Sequence, residues 1–304
     1  MRTWLLAVTC LYFGCEPTLV VGERNDAGAG AAGSAASGGT AGATEVAGTA
    51  GATEVAGAAG AAGATEVAGA AGAQCPDNGN APGPMDPIAV PWATGFENGF
   101  CDFEEVGGFC YGGGTRKTVT SPTPRSGQFS AEFSVSTDDP MSTQARCVRQ
   151  GVFPSEAYYG AWYYIPATST LSDPKNSLYN LFHFQGGDVS TDGLWDISLV
   201  NGDNGELELL VFDFLKGTVR KQTQPNIPIP IGSWFHIEFY IKRRSDATGA
   251  IRLYQDGKPL VDVSGIVTDD SSWGQWYVGN IGKVLTPPDC TLYVDDVTID
   301  TSLN

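Results

Sequence analysis

Eight short runs of β-forming residues constrain the fold of this chain more than any other feature. Each run holds four to nine residues rich in Val, Ile, Leu, Phe, Tyr and Trp, and turn segments such as 201–205 and 245–249 separate several of them. The runs are 158–165, 177–185, 194–200, 206–214, 234–242, 250–255, 275–278 and 291–299. Because no segment of useful length has a helical period, the sequence predicts an all-β fold.

Within several runs, apolar and polar residues alternate with a period of two. In 234–242 the positions 235, 237, 239 and 241 are Phe, Ile, Phe and Ile, while His236 and Tyr240 lie between them. In the same way Phe182 and Phe184 alternate with His183 and Gln185. Successive side chains of a strand point to opposite faces. The pattern therefore predicts a sandwich of two sheets, with an outer sheet face that can line a groove.

The chain before this region differs sharply in composition. Residues 1–14 combine Arg2 with an apolar run and are predicted to be a signal peptide, which makes Cys15 the expected lipidation site. Residues 15–74 repeat the hexamer Ala-Thr-Glu-Val-Ala-Gly three times, and within them 26–73 hold no aromatic or large aliphatic residue, so a disordered tether is predicted. The globular domain is then 75–304. These features predict an exported protein anchored in the bacterial envelope through a lipid, or secreted.

Charge and cysteine content limit the partners of the domain. The net charge of −17 disfavours nucleic acid and anionic lipid surfaces, so we expect no nucleic-acid partner and membrane contact only through the lipid. Seven cysteines favour an oxidising compartment. The short spacing of Cys101 and Cys110, with Gly107 and Gly108 between them, makes these two the expected disulfide pair, although five remaining cysteines allow other pairings.

Several motifs resemble the concanavalin A-like lectin and glucanase superfamily of jelly rolls. They are 119–127, 160–166, 232–242, 246–257 and 292–297, and they are nearest to the heparin-lyase-like and alginate-lyase-like polysaccharide lyases. The resemblance implies a jelly-roll β-sandwich. It also implies extracellular polysaccharide as the partner.

The same resemblance implies a set of catalytic residues. A polysaccharide lyase needs a base and an acid, and an Arg, Gln or Asn that neutralises the carboxylate of a uronic acid. The nearest matches are Arg146, the pair His183 and Gln185, and a tyrosine, for which we select Tyr240. The run 276–283 lies near the place of the tyrosine-bearing strand of alginate-lyase-like members, and the Arg-x-Glu strand of those enzymes is absent.

Two further sites are predicted for a glycan-binding domain. Trp195, Trp273 and Trp276 are candidate platforms for stacking on sugar rings. Glu97 and Asp295 lie in the first and last parts of the domain, where related jelly rolls often hold a structural calcium ion between two carboxylates.

Three functions remain open at the level of sequence. The first is an envelope lipoprotein that recognises extracellular carbohydrate, the second is a polysaccharide lyase acting by β-elimination, and the third is a protein-interaction scaffold. The Glu-x-Asp-x-Glu strand of hydrolytic relatives and the Gly-x-Ser-x-Gly motif of serine hydrolases are both absent from the sequence.

Overall fold

The computed structural model describes Cys75 and residues 86–303, apart from 174–176, 188–193, 203, 215, 223–225 and 270–272. In this part of the chain the only helix is α1, Cys101–Glu104, and all other regular elements are strands. The strands are β1 Trp92–Thr94, β2 Phe109–Tyr111, β3 Thr115–Val119, β4 Ser130–Ser136, β5 Gln144–Val152, β6 Glu156–Tyr164, β7 Thr170–Leu171, β8 Leu178–Gly186, β9 Leu194–Asn201, β10 Leu207–Asp213, β11 Thr218–Lys221, β12 Trp234–Lys242, β13 Gly249–Gln255, β14 Lys258–Ile266, β15 Trp273–Lys283, β16 Leu285–Thr286 and β17 Asp289–Asp300.

Two antiparallel sheets form the sandwich. The eight-stranded sheet has the order β14-β13-β12-β6-β17-β4-β3, with β1 beside β17, and the seven-stranded sheet has the order β11-β10-β9-β8-β15-β5-β2. Strands far apart in sequence are neighbours: β15 lies between β5 and β8, and β17 lies between β4 and β6. This arrangement confirms the predicted all-β jelly roll.

The apolar faces of both sheets pack against each other to form the core. Phe235, Ile237, Phe239 and Ile241 of β12 are all fully buried, as the period-two pattern predicts. Phe182 of the seven-stranded sheet meets Phe239 of the eight-stranded sheet with ring centroids 6.1 Å apart. The polar alternate positions consequently point away from the core, on the two outer faces of the sandwich.

The disulfide prediction is wrong. The structure pairs Cys75 with Cys101 and Cys110 with Cys147, and Cys290 is a free, buried cysteine. Cys110 and Cys147 are direct register partners on the adjacent strands β2 and β5, with Cα atoms 4.0 Å apart. Strand pairing over a long sequence separation decides this bond, and the short spacing from Cys101 to Cys110 does not reveal it.

Other predictions lie outside the described residues. The signal peptide, the lipidation site Cys15 and the tether belong to this group, so they stay predictions. Among the helices of the described residues, none has the length and apolar character that a membrane crossing requires.

Candidate functional site

The outer face of the seven-stranded sheet carries a patch of polar side chains in three adjacent rows, which we call the polar face. Its middle row runs from Val148 on β5 through Tyr277 on β15 to His183 on β8 and Asp196 on β9. One flanking row contains Gln150, Gln275 and Gln185, and the other contains Tyr111, Arg146 and Gly279. Each row joins residues that lie directly opposite one another on neighbouring strands. The sheet therefore brings together side chains from five strands, β2, β5, β8, β9 and β15.

Arg146 is held between two tyrosine rings. The centre of its guanidinium lies 4.8 Å from the ring of Tyr111 and 4.9 Å from the ring of Tyr277, distances typical of cation–π contacts. Its Nη2 donates a hydrogen bond to Gln144 Oε1 at 2.6 Å, and its buried Nε has no hydrogen-bond partner among the described residues. The two rings fix the position of a positive charge on the polar face.

Gly279 lies directly opposite Arg146 on β15, at an irregularity of the strand. Its φ is +143°, and a Cβ atom there would lie 2.3 Å from the carbonyl oxygen of Ala145. Only glycine tolerates both the backbone angle and this close approach. Gly279 therefore lets β15 approach the backbone of β5 closely at the residue that carries the guanidinium.

His183 and Asp196 form a pair on adjacent strands. His183 Nδ1 lies 3.3 Å from Asp196 Oδ1. Burial lowers the pKa of His183, Asp196 raises it and Arg146 lowers it further, with a lowered pKa as the net result. The imidazole is thus neutral near pH 7. Because an ionised carboxylate only accepts hydrogen bonds, the single proton belongs on Nδ1, and Nε2 keeps an unshared electron pair.

The Nε2 atom of His183 is buried and has no hydrogen-bond partner among the described residues. The imidazole ring packs against Tyr277 with ring centroids 4.0 Å apart. An unpaired buried acceptor is costly unless a bound molecule satisfies it. This atom is therefore a candidate base next to the tyrosine.

Tyr277 begins a chain of hydrogen bonds along the patch. Its hydroxyl donates to Gln275 Oε1, and Gln275 Nε2 donates to Gln150 Oε1 at 3.1 Å. Burial and the neighbouring Tyr111 raise the pKa of Tyr277, while Arg146 lowers it, and the net shift is upward. The phenol therefore keeps its proton at neutral pH and is available as a proton donor.

Of the predicted catalytic residues, the structure brings Arg146, His183 and Gln185 together on the polar face. It does not bring Tyr240 to them. That residue lies on β12 in the eight-stranded sheet, where its hydroxyl donates to Glu156 and its ring contacts Tyr158 at 4.9 Å. Its side chain points away from the core on the opposite side of the sandwich, so the selection of Tyr240 is wrong.

Tyr277 is the tyrosine that contacts both Arg146 and His183, and it was not selected from the sequence, although it lies within the run 276–283 noted above. The sequence contained a pattern that indicates the position of Tyr277. Trp276 is apolar and is expected to face the core, so the next residue, Tyr277, must point to the outer face of the strand. Tyr111, Gln275 and Asp196 also belong to the polar face and were not selected. These residues lie on the polar face only because of the order of the strands in the sheet, which the sequence pattern does not reveal.

The three candidate tryptophans differ in their surroundings. Trp195 and Trp276 are 1% and 0% exposed and pack in the core, so they are not sugar platforms. Their strands turn these positions inward because the polar residues of the same strands occupy the outer face. Trp273 is half-buried and lies on the same face of β15 as Gln275 and Tyr277, so it stays a candidate for stacking on a sugar.

Glu97 and Asp295 both bind the backbone of one loop. Glu97 Oε1 accepts hydrogen bonds from the amides of Gln128 and Phe129, and Asp295 Oδ2 accepts from those of Arg125 and Ser126. Burial raises the pKa of Asp295 to about 6, with the charge of Asp296 acting in the same direction.

These amides occupy carboxylate oxygens that a calcium ion would need. In the described ranges no group of three or more His, Cys, Asp or Glu side chains is arranged to hold a metal ion. The geometry of the pair alone does not fit a metal centre. The calcium site stays a prediction.

One protein family and several solved structures are similar to this chain. Residues 94–297 match the model of a family described as polysaccharide lyase, and this range contains the whole polar face. No curated protein matches the chain at the sequence level.

Similar solved structures include an endo-β-1,4-glucuronan lyase from the fungus Trichoderma reesei, with 18% identity, coverage of 69% of this chain and 95% of that one, and a TM-score of 0.48. An alginate lyase from Aplysia kurodai has 10% identity, coverage of 71% and 100%, and a TM-score of 0.48. The alginate lyase Aly36B has 14% identity, coverage of 70% and 97%, and a TM-score of 0.49.

Proposed function

This chain belongs to the polysaccharide lyase family, and we propose that it cleaves a uronic-acid polysaccharide by β-elimination on its polar face. One observation carries the proposal: a fixed guanidinium, a neutral imidazole with a free Nε2 and a protonated phenol lie on adjacent strands. The residues are Arg146, His183 and Tyr277. These are the three chemical groups that an elimination next to a carboxylate requires.

The reaction makes two demands on a protein. A base must remove the weakly acidic proton at C5, next to the carboxylate, and an acid must protonate the oxygen at C4 as its bond to carbon breaks. The negative charge that develops on the carboxylate must be stabilised by groups already in place. The double bond then forms between C4 and C5, and no water is consumed.

Arg146 is suited to stabilise the negative charge that develops on the carboxylate. A guanidinium forms paired hydrogen bonds with a carboxylate, and its charge opposes the charge that develops in the transition state. The rings of Tyr111 and Tyr277 hold it in position, so little reorganisation is needed on binding. The amides of Gln185 and Gln275 in the neighbouring row provide further neutral hydrogen-bond groups.

His183 is suited to act as the base. Its lowered pKa keeps the ring neutral, and Asp196 orients it through Nδ1, which leaves Nε2 as the proton acceptor. As the ring gains a proton, the carboxylate of Asp196 stabilises the resulting positive charge. The pair therefore supports proton abstraction at neutral pH.

Tyr277 is suited to act as the acid. Its raised pKa keeps the phenol protonated, and its ring packs against His183, so both groups reach the same bound sugar. A proton donor at this position lowers the barrier for departure of the C4 oxygen.

The carbohydrate-recognition hypothesis is weaker than the lyase hypothesis. Two of its three tryptophans lie in the core, and the third, Trp273, lies beside the polar face. Stacking on Trp273 would then hold the polysaccharide on the polar face. We propose in addition that the domain acts outside the cell. The two disulfides and the apolar N-terminal run of the sequence support export.

The proposal is tested with full-length protein and a panel of alginate, glucuronan, polygalacturonate and heparin-type polysaccharides. Ultraviolet absorbance of the conjugated double bond reports elimination. We expect absorbance to rise with at least one member of the panel and the rise to disappear in His183→Ala.

Tyr240→Phe is the matched control, because it removes a tyrosine hydroxyl on the opposite face, and it should retain the activity. Folded protein that leaves the whole panel unchanged contradicts the proposal. Activity that persists in His183→Ala contradicts the role of the base.

A further inference from the structure

The outer face of the eight-stranded sheet contains a depression of about 350 Å³, on the side of the sandwich opposite to the polar face. Its lining includes Ala93 on β1, Trp162 on β6, His236 on β12, and Asp296, Thr298 and Asp300 on β17. None of these residues takes part in the proposed elimination. The volume is within the range of small-ligand sites.

Small side chains create this depression. Ala93, Thr298 and Gly160 lie directly opposite one another on β1, β17 and β6. A Cβ atom on Gly160 would lie 2.8 Å from Thr298 Oγ1 and 3.0 Å from His236 Nε2. The absence of a side chain at Gly160 therefore keeps these two polar atoms accessible from the floor of the depression.

Rigid aromatic rings form one wall. Trp162 and His236 are register partners, and their rings are stacked with centroids 5.1 Å apart. The guanidinium of Arg125 lies 4.1 Å from the tryptophan ring. A wall fixed by stacking can contact the apolar side of a sugar without losing side-chain freedom.

The polar groups of the lining select a neutral ligand with many hydroxyl groups. His236 Nε2 faces the floor of the depression at Gly160. Asp296 Oδ1 accepts a hydrogen bond from the hydroxyl of Ser126, and Asp300 Oδ1 accepts one from the hydroxyl of Ser302. The second oxygen of each carboxylate is left to accept a hydroxyl hydrogen of a ligand. Asp256 lies outside the lining, where it accepts a hydrogen bond from the backbone amide of His236 at 2.8 Å and adds a negative charge near that residue.

Arg125 is the cation near this wall, and its guanidinium is stacked on Trp162. The two carboxylates of the lining and the nearby Asp256 outnumber this one guanidinium, so in a chain of net charge −17 they repel a uronate. A neutral sugar avoids this repulsion and supplies the donors that the carboxylates accept.

We propose that this depression binds one sugar residue of a neutral polysaccharide and acts as a second, non-catalytic glycan site. The two sites lie on opposite outer faces, so a neutral chain bound at one leaves the other free. Binding of this kind would hold the protein on a mixed polysaccharide matrix while the polar face acts on uronate chains. The inference does not depend on the lyase reaction, because it concerns different residues and a different class of ligand.

Affinity electrophoresis in gels that contain galactomannan, xyloglucan or mixed-linkage β-glucan tests the proposal. All proteins carry His183→Ala, so that the outcome is independent of any lyase activity. We expect at least one of the three polysaccharides to retard migration. Ala93→Phe fills the depression from an exposed position and should raise the apparent Kd at least about tenfold.

Ser264→Phe is the matched control, because it adds the same ring at an exposed position on β14, at the edge of the same sheet. It should bind like the parent protein, and thermal melts establish that both variants are folded. Asp296→Asn provides a second, smaller change and should weaken binding. Unretarded migration in all three gels, or retardation that survives Ala93→Phe, overturns the proposal.

Discussion

Tyr277→Phe separates the chemical role of the phenol from its structural role. The substitution removes one oxygen atom and keeps the ring that contacts His183 and Arg146. The hydroxyl donates one hydrogen bond, to Gln275 Oε1, and Gln275 is half-buried, so water can replace the lost donor. The expected loss of stability is therefore at the low end of about 0.5–1.5 kcal/mol for one hydrogen bond.

The expected loss of activity is far larger. A positioned proton donor contributes roughly 10²–10⁴-fold to the rate, or about 2.7–5.5 kcal/mol of barrier. One kcal/mol of stability shifts Tm by only about 2–4 °C for a domain of this size. We thus expect kcat to fall by at least about 100-fold with a shift in Tm of a few degrees and little change in KM.

Initial rates of absorbance increase and a thermal melt measure both quantities on the same samples. Tyr111→Phe is the near control, since it removes the neighbouring hydroxyl and keeps the other ring beside Arg146, and it should lose less than about tenfold. If Tyr277→Phe keeps more than about a tenth of the kcat, the assignment of the acid is refuted.

Four further predictions concern other parts of the polar face. Arg146→Lys keeps the charge but loses the paired hydrogen bonds, so kcat/KM should fall by about 10–100-fold and Arg146→Ala should lose more, about 10²–10³-fold; equal rates for all three proteins contradict this role. Since burial lowers the pKa of His183, kcat/KM should rise with pH through that lowered value, and the midpoint of this acid limb should lie below the ordinary histidine pKa of about 6.5. Asp196→Asn removes the charge that raises this pKa, so the acid limb of the pH profile should move to lower pH; a shift to higher pH contradicts the pairing. Replacing the disulfide Cys110–Cys147 by two alanines should lower stability by about 2–4 kcal/mol and also reduce kcat/KM, because the bond ties Tyr111 on β2 to Arg146 on β5; activity unchanged in the folded variant contradicts this link.

The sequence predicted strands and their faces well wherever apolar residues alternate cleanly. The run 234–242 coincides with β12, and 194–200 differs from β9 by one residue. β5 was missed because it carries Gln144, Arg146, Arg149 and Gln150 among its apolar residues. Arg149 is nevertheless buried, with Nη1 donating to the carbonyl oxygen of Val106. Tertiary contacts of this kind override the local pattern.

The set of residues that meet on the polar face depends on the order of the strands in the sheet. The alternation of apolar and polar residues within a strand does not reveal this order. His183 and Gln185 are two residues apart, so their shared face was predictable from the sequence. The contact of Tyr277 with His183 and Arg146 exists only because β15 lies between β8 and β5. Tyr240 was selected because its strand also has a polar face, and in a sandwich both sheets have one.

The predictions for the disulfides and for the buried tryptophans were wrong for the same reason: both features depend on how the strands pair and face. The partner of Cys110 is set by the register between β2 and β5, and the core position of Trp276 is set by the polar side chains on the other face of β15. Local spacing and residue type carry little of this information.

The most direct test of β-elimination on the polar face is digestion of the active polysaccharide in water labelled with heavy oxygen, followed by mass spectrometry. A lyase uses no water in bond cleavage, so we expect one unsaturated sugar for each bond broken and no heavy oxygen taken up in the cleavage, with no products from His183→Ala. Saturated products that contain one heavy oxygen atom per cleavage would instead show hydrolysis and would contradict the proposed function.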